Sequence, residues 1–207
     1  MILEKSDLLD SRIDELEYCV FDIETTGVRP FDGDRIVEIG AVKIKPGLKV
    51  DYKNKFHLLV NPGMHIPDNS VSIHGITDKD VENAPDECLA FYKFLEYARG
   101  CILVAHNAKK DMNFLKCIMK DYSISNPFDF VIDTLTLSRK INIYNRYHNL
   151  DALMEQYNVK LNSPYKRHRA LFDAELTSVV FRLMLKKLLA KRMFTLMELL
   201  IYLEDRN

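Results

Sequence analysis

Four acidic residues stand in segments of the sequence that are otherwise apolar. In the run YCVFDIE at positions 18–24, the alternation of a β-strand places Asp22 and Glu24 on one face, two residues apart. Asp111 falls on the apolar stripe of a predicted helix, and Asp173 falls on the equivalent stripe of a later helix. Three separate segments therefore direct carboxylates towards the protein interior.

Each acid has a simpler interpretation when it is considered alone. The strand of Asp22 and Glu24 would be half exposed, and Asp111 would be a first-turn acid that interacts with the helix dipole. Together, four inward carboxylates would cost several kcal/mol each if they stayed ionised and unpaired. Basic side chains are one kind of partner, but apolar residues flank these acids, and clustered oxygen ligands suit divalent ions. The pattern favours Mg²⁺ or Mn²⁺, and two such ions about 3.5–4 Å apart would support in-line displacement at phosphorus.

His168 precedes Asp173 by five residues, a spacing that separates the two on a helix by about 500°. We therefore expect His168 on the loop before the helix. An exposed loop histidine is usually inert, but one beside an acidic metal cluster suits a general base that takes a proton from an attacking water. Basic residues crowd the same segments, either as solvated faces or as contacts for phosphate groups: Lys109, Lys110, Lys166, Arg167 and Arg169.

The rest of the pattern predicts the elements that position these side chains. Strand-like runs come first and are closely linked, and later runs alternate with helical periodicities. This order indicates a mixed β-sheet covered by helices, an α/β fold. The predicted strands are 18–24, 35–45, 54–60, 101–105 and 128–132, and the predicted helices are 6–17, 86–99, 109–120, 134–141, 149–157 and 170–191.

The composition limits the class of protein. With 207 residues, 47% hydrophobic and 29% charged, the chain fits one globular domain and excludes a disordered or fibrous protein. The formal charge of −1 excludes a strongly cationic coat and by itself counts against a nucleic-acid partner. Two divalent ions on the inward acids would add four positive charges, so the balanced total does not exclude such a partner.

The cysteines and the N-terminus indicate the cellular compartment. Cys19, Cys88, Cys101 and Cys117 lie far apart in apolar stretches, without the spacing of a metal-thiolate site, so we expect reduced core residues. The first ten residues carry charges where a signal peptide needs an apolar run, and no segment approaches the roughly 20 apolar residues that span a bilayer. We expect a cytoplasmic protein without a membrane partner.

Several motifs stand in order along the chain: FDIETTG at 21–27, HGIT at 74–77, LVAHNAKKDMNFL at 103–115, IDTLTLSR at 132–139 and HNLDALMEQYNV with HRALFDAE within 148–175. Together they resemble the motifs of the DEDDh exonucleases of the RNase H-like superfamily. Within that family the chain is most similar to the proofreading epsilon subunit, or exonuclease domain, of bacterial DNA polymerase III, over roughly residues 17–185.

The resemblance implies a fold and a set of residue roles. It implies an RNase H-like fold with a five-stranded mixed sheet in the order 3-2-1-4-5. It implies a two-metal mechanism with Mg²⁺ or Mn²⁺, in which a 5′-mononucleotide leaves the 3′ end. Asp22, Glu24, Asp111 and Asp173 would be the metal ligands, His168 the general base, and Glu24, Thr25, His74, Asn107 and Asp173 the residues that contact the terminal nucleotide. Without the resemblance, His74 is interpreted as an ordinary turn residue.

The expected substrate is a single-stranded 3′ end of DNA, with RNA as the enzymatic alternative, and the expected partner is the catalytic subunit of a DNA polymerase. A non-catalytic subunit that only binds a polymerase or nucleic acid is disfavoured by the complete set of five residues. Two positions depart from the family pattern: Lys110 replaces an aromatic residue, and Arg169 replaces a small residue and offers a further phosphate contact.

Three parts of the chain are predicted. Residues 1–16 would form an N-terminal helical extension, and residues 17–191 would form the exonuclease domain. Residues 192–207 would form a C-terminal helix, which either packs on the domain or docks another protein.

Overall fold

The computed structural model describes residues 5–159 and 168–205. In this part of the chain the strands alternate with helices after an initial three-stranded meander. The strands are β1 Tyr18–Thr25, β2 Ile36–Lys45, β3 Lys49–Leu59, β4 Ile102–Ala105 and β5 Val131–Asp133; the helices are α1 Lys5–Asp10, α2 Asp68–His74, α3 Asp78–Val81, α4 Glu87–Ala98, α5 Lys109–Asp121, α6 Thr134–Ile141, α7 Leu150–Gln156, α8 Ala170–Ala190 and α9 Leu196–Glu204.

The strands form one five-stranded sheet in the order β3-β2-β1-β4-β5. The pairs β1/β2 and β2/β3 are antiparallel, because short connections join them. The pairs β1/β4 and β4/β5 are parallel, because the helices α2–α4 before β4 and α5 before β5 return the chain so that each strand runs in the same direction as β1. The predicted α/β class and the strand order 3-2-1-4-5 are both confirmed.

Hydrophobic clusters cover both faces of the sheet. Alternation along β1 sends Tyr18 and Val20 into the cluster that contains α8, whereas Cys19 and Phe21 enter the cluster that contains α4 and α5. Burying a large apolar side chain contributes about 1.5–3 kcal/mol, so these faces fix how the strand is oriented. The same alternation turns the following acids of β1 towards α8.

Several predicted element boundaries differ from the structure. The predicted helix 6–17 ends at Asp10, and its later apolar residues Ile13 and Leu16 are buried within turns. Their spacing therefore reflects core contacts rather than a continuing helix. β3 begins at Lys49, five residues early, because a tight turn with Gly47 at φ 77° returns the chain directly from β2. β5 spans 131–133 rather than 128–132, and the short helices α2 and α3 were not predicted.

The two ends of the described chain meet. The Ile13 amide donates to the Phe194 carbonyl at 2.8 Å, and the Leu196 amide donates to the Ser11 carbonyl at 3.0 Å. Leu196 and Leu199 are fully buried in the same cluster as Ile13. α9 therefore packs on the sheet-forming unit, while the proposed division at residues 16 and 191 stays a prediction.

All four cysteines are free thiols. Cys19 and Cys117 are buried, whereas Cys88 and Cys101 are half-buried, so only two of the four are core residues as expected. None of the helices in the described ranges is both long and apolar enough to pass through a bilayer.

Candidate active site

Asp22, Glu24 and Asp173 form a three-acid cluster at one end of the sheet. One carboxylate oxygen from each lies within 4.8 Å of the other two. Asp22 and Glu24 come from the β1 face that α8 covers, and Asp173 comes from the first turn of α8. The predicted convergence of these acids is therefore observed.

The close approach of α8 to the sheet depends on Gly40 of β2. A Cβ at position 40 would lie 2.1 Å from the backbone nitrogen of Leu171 and 2.3 Å from the carbonyl carbon of Ala170. A side chain at this point would push the helix away from the strands. The absence of one lets the first turn of α8 bring Asp173 to the acids of β1.

Asp111 reaches the same cavity from the other side of the sheet. It lies in the first turn of α5, whose apolar residues join the opposite hydrophobic cluster, and only 7% of it is exposed. Burial raises the pKa of Asp111 to about 7, against the opposing effect of backbone hydrogen bonds at Asp111 and Ile23. Asp111 therefore lines the same cavity without belonging to the three-acid cluster.

Glu24 carries the clearest electrostatic signature of the cluster. Burial first, and then repulsion by Asp173, Glu38 and Asp111, raises the pKa of Glu24 to about 8. An ionised cluster of this kind needs a cation among its oxygens. Because all the donors are carboxylate oxygens, the cluster fits a hard divalent ion such as Mg²⁺ or Mn²⁺.

His168 lies on the loop immediately before α8, as predicted. Its backbone adopts the left-handed conformation with φ 63°, which is uncommon for a residue other than glycine. Its backbone N–H donates to Oδ2 of Asp173 at 3.3 Å, and its exposed side chain lines the cavity. The histidine therefore stands where it can act on a group bound at the cluster.

Asn107 is held in place by Asp133, a residue that the sequence interpretation missed. Oδ1 of Asp133 accepts hydrogen bonds from the backbone N–H groups of Asn107 at 2.8 Å, Ala108 at 3.2 Å and Leu135 at 3.0 Å. Asn107 also has a left-handed backbone, with φ 65°. The sequence did contain a signal for Asp133, because an acid between a strand and the start of a helix can cap that helix and order a neighbouring loop.

Thr25 and His74 occupy different environments. Thr25 lines the cavity, and its hydroxyl donates to the Gly27 carbonyl at 2.5 Å. His74 is buried, is not among the cavity-lining residues, and accepts a hydrogen bond at Nδ1 from the Ile76 amide at 3.0 Å. Burial lowers the pKa of His74, so the ring is neutral with its proton on Nε2. A direct nucleotide contact by His74 stays a prediction.

The cavity has a volume of about 760 Å³ and takes in seven of the eight predicted site residues. Its wall also carries Lys110, one of the basic residues noted in the sequence. Three further wall residues were missed by the sequence interpretation: Arg139, Arg146 and Tyr147. The guanidinium carbon of Arg146 lies 5.3 Å from the ring centroid of Tyr147. The sequence signal for these wall residues was a cationic side chain next to an aromatic one, and it was overlooked.

The basic residues around His168 do not all face the cavity. Arg169 binds the buried carboxylate of Glu38, which differs from the phosphate contact expected of it. Lys166 and Arg167 lie outside the described residues.

The sheet order and the converging acids define an α/β protein with a candidate metal site, and comparison with known proteins gives the family. The model of the Exonuclease family, of RNase T type, matches residues 19–181. The chain belongs to this family, and the predicted exonuclease class is confirmed.

Curated relatives carry names from bacterial replication. A DNA polymerase III subunit epsilon-like protein of Rhodobacter capsulatus is 39% identical over 192 residues, which are 92% of this chain and 27% of the relative. A DNA polymerase III PolC-type protein of Caldanaerobacter subterraneus is 43% identical over 176 residues, which are 84% of this chain and 12% of the relative. The chain thus spans about a quarter or less of the length of these proteins.

Solved structures share the fold. Exonuclease X in complex with 5′ overhanging duplex DNA superposes with a TM-score of 0.65 and 25% identity, over 82% of this chain and 92% of that one. The nuclease domain of 3′hExo, a DEDDh family member, superposes with a TM-score of 0.71 and 19% identity, over 83% of this chain and 92% of that one. The predicted exonuclease fold is therefore confirmed.

Proposed function

We propose that this chain is a metal-dependent 3′–5′ exonuclease that removes 5′-mononucleotides from single-stranded DNA ends. The observation that carries the proposal is the three-acid cluster of Asp22, Glu24 and Asp173, set in a cavity of about 760 Å³ within an exonuclease-family chain. Exonucleases of this family generally depend on divalent metal ions.

The acids supply the metal site. Asp22, Glu24 and Asp173 would hold two Mg²⁺ or Mn²⁺ ions, with Asp111 as the further ligand from α5. When bound, two such ions supply electrostatic stabilisation of the attacking and leaving oxygens of a phosphodiester. The raised pKa values of Glu24 and Asp111 support this assignment, because both acids lie in surroundings that favour their neutral form until a cation arrives.

His168 acts as the general base. Its side chain reaches the cavity from a loop joined to Asp173 through the backbone hydrogen bond, so it lies beside the cluster without belonging to it. A neutral imidazole accepts a proton from the attacking water and later releases it to solvent.

The cavity wall supports binding of a nucleic-acid strand. Lys110, Arg139 and Arg146 would contact phosphates, and the exposed ring of Tyr147 would stack on a base. Thr25 and Asn107, which also line the cavity, would contact the terminal nucleotide, and the neutral His74 interacts with the backbone of Thr25.

The names of the relatives favour proofreading for DNA polymerase III. Relatives at 39% and 43% identity are named as an epsilon-like subunit and as PolC-type polymerases. We therefore assign a DNA polymerase catalytic subunit as the partner of this chain.

The substrate is tested with matched DNA and RNA oligonucleotides labelled at the 5′ end. We expect a ladder that shortens from the 3′ end of DNA in Mg²⁺ or Mn²⁺, none in EDTA, and none with the Asp22→Ala, Glu24→Ala double variant. Cleavage of RNA alone would contradict the DNA assignment, and cleavage by the double variant would contradict the site.

Proofreading is tested by adding a DNA polymerase III catalytic subunit and a primer with a mispaired 3′ end. We expect the wild-type chain, and not the Asp22→Ala, Glu24→Ala variant, to restore extension of the mispaired primer. Equal extension with both would contradict the partner assignment.

A further inference from the structure

Glu38 is a fully buried acid of β2 that neither the motifs nor the three-acid cluster includes. It pairs in register with Glu24 of β1, and none of its surface is exposed. A buried carboxylate persists only with partners that satisfy its charge and lone pairs. Its partners therefore indicate what this position does.

Three groups from two other segments bind the Glu38 carboxylate. Nε of Arg169 donates to both oxygens at 3.0 and 3.2 Å, and Nη2 donates to Oε1 at 2.6 Å. The Ala170 amide donates to Oε2 at 2.8 Å, and Nε2 of His57 donates to Oε1 at 2.7 Å. Although burial opposes it, these hydrogen bonds lower the pKa of Glu38 to about 2.

Arg169 and Ala170 are the two residues that follow His168. The strained left-handed backbone of His168 is thus fixed on one side by Glu38, through its neighbours, and on the other by Oδ2 of Asp173, through its own N–H. Such a conformation persists where its surroundings impose it. Glu38 also pairs with Glu24 across the sheet, so this position of β2 connects the His168 loop with an acid of the three-acid cluster.

We propose that Glu38 and Arg169 are positioning residues that hold the His168 ring over the three-acid cluster. The inference deepens the proposed function, because it assigns the device that keeps the general base in place. Arg169 suits the role because its planar guanidinium makes two parallel bonds to one carboxylate, which a lysine cannot reproduce.

The test compares Glu38→Gln, Arg169→Met and the double variant in steady-state cleavage of a single-stranded DNA oligonucleotide. Displacing a reacting group by about 1 Å costs up to about 10²-fold in rate, so we expect kcat to fall by about 10- to 100-fold. KM should change by less than about twofold, since the substrate-contacting residues are untouched. The double variant should be no slower than the slower single variant, because both remove one interaction.

Arg169→Lys is the conservative variant, and it keeps a positive charge at the buried acid. We expect a kcat between those of the wild type and Arg169→Met, with a folded protein throughout. The matched control is Glu175→Gln, which breaks another buried ion pair of α8, between Glu175 and Lys55 at 2.5 Å. It should lose stability but keep the wild-type kcat when fully folded.

A second readout does not depend on turnover. The His168 ring gives its own ¹H–¹³C NMR signal, which should shift or broaden in Glu38→Gln and Arg169→Met and stay unchanged in Glu175→Gln. Unchanged His168 signals, or a wild-type kcat in folded Glu38→Gln and Arg169→Met, would overturn the positioning role. Absence of cleavage by the wild type would instead overturn the proposed function, and the NMR comparison would still decide the positioning role.

Discussion

At the scale of single residues, the chemistry of the cavity depends on buried acids whose ionised form is destabilised unless a cation is bound. Glu24 is the clearest case, because burial and three neighbouring carboxylates all raise its pKa, and the charge of Arg169 opposes them. The close spacing of these buried carboxylates makes their ionised form unfavourable without a cation. The same spacing makes them bind a divalent ion tightly once their protons leave.

Glu24 gives a prediction for the metal-free protein. In EDTA the folded chain holds a proton on Glu24 up to about pH 8, whereas the unfolded chain releases it near 4.5. The stability therefore falls as the pH rises through this interval. We expect the Tm in EDTA to drop from pH 5 to pH 8 and to drop less in Glu24→Gln, as measured by differential scanning calorimetry. Equal slopes would contradict the raised pKa.

His168 gives a second prediction. His168→Ala should bind Mn²⁺ with wild-type affinity, because the carboxylates are intact, and should lose about 10²- to 10⁴-fold in kcat, as is typical of a general base. Binding is measured by electron paramagnetic resonance and kcat by mononucleotide release. A wild-type kcat in this variant would remove His168 from its role.

The sequence was most informative where one residue broke a strong pattern. Asp22, Asp111 and Asp173 stood out because each interrupts an apolar face, and all three line the cavity. The contacts of Glu38 and Asp133 were missed, because their partners Arg169 and Asn107 are 131 and 26 residues distant along the chain. Contacts over such separations depend on the register of the sheet, which the pattern of a single strand does not determine.

At the scale of elements, the site depends on how α8 lies against β1 and β2. Strands β1, β2 and β4 and the long helix α8 followed from the sequence pattern, because each is largely buried. The predicted helix at 6–17 was wrong beyond Asp10, because Ile13 and Leu16 reach the core from turns. Periodicity reports burial, and burial does not require a helix.

Gly40 provides the prediction at this scale. In Gly40→Ala the new Cβ would meet the α8 backbone at 2.1 Å, so the helix must move rather than a side chain. We expect a loss of about 1–3 kcal/mol in the free energy of unfolding and a fall in kcat of up to about 10²-fold. Both are measured on the purified variant, by urea unfolding and by DNA cleavage.

Gly63→Ala is the control for Gly40→Ala. Its Cβ would meet nothing within 4 Å, although φ is 66°, so it should lose only about 1–2 kcal/mol from the left-handed backbone and keep its activity. Similar kcat values for the two alanine variants would contradict the importance of the α8 contact.

At the scale of the whole molecule, the formal charge of −1 conceals an uneven distribution. Acids converge inside the cavity, while Lys110, Arg139 and Arg146 lie along its wall. A protein that holds only a few terminal nucleotides does not need a basic surface elsewhere. Balanced charge and nucleic-acid binding are therefore compatible in this fold.

Arg146 tests this distribution. Arg146→Ala should raise the KM for single-stranded DNA with little change in kcat, because a phosphate contact acts equally in the ground and transition states. The dependence of log(kcat/KM) on log[salt] should become shallower by about 0.7 for one lost contact. Lys49→Ala, at an exposed position on the opposite edge strand β3, should leave both quantities unchanged. An unaltered salt dependence in Arg146→Ala would show that Arg146 does not contact a phosphate of the DNA strand.

The most direct test of the metal site measures Mn²⁺ binding and Mg²⁺-dependent mononucleotide release on the same preparations of wild type and Asp173→Asn. Asp173 joins α8 to the acids of β1, so the variant removes one ligand charge while nearly conserving the size of the side chain. We predict that Asp173→Asn loses Mn²⁺ affinity and turnover together, and that the wild type releases nothing in EDTA. Wild-type turnover by Asp173→Asn, or release in EDTA, would contradict a catalytic divalent-metal site at Asp22, Glu24 and Asp173.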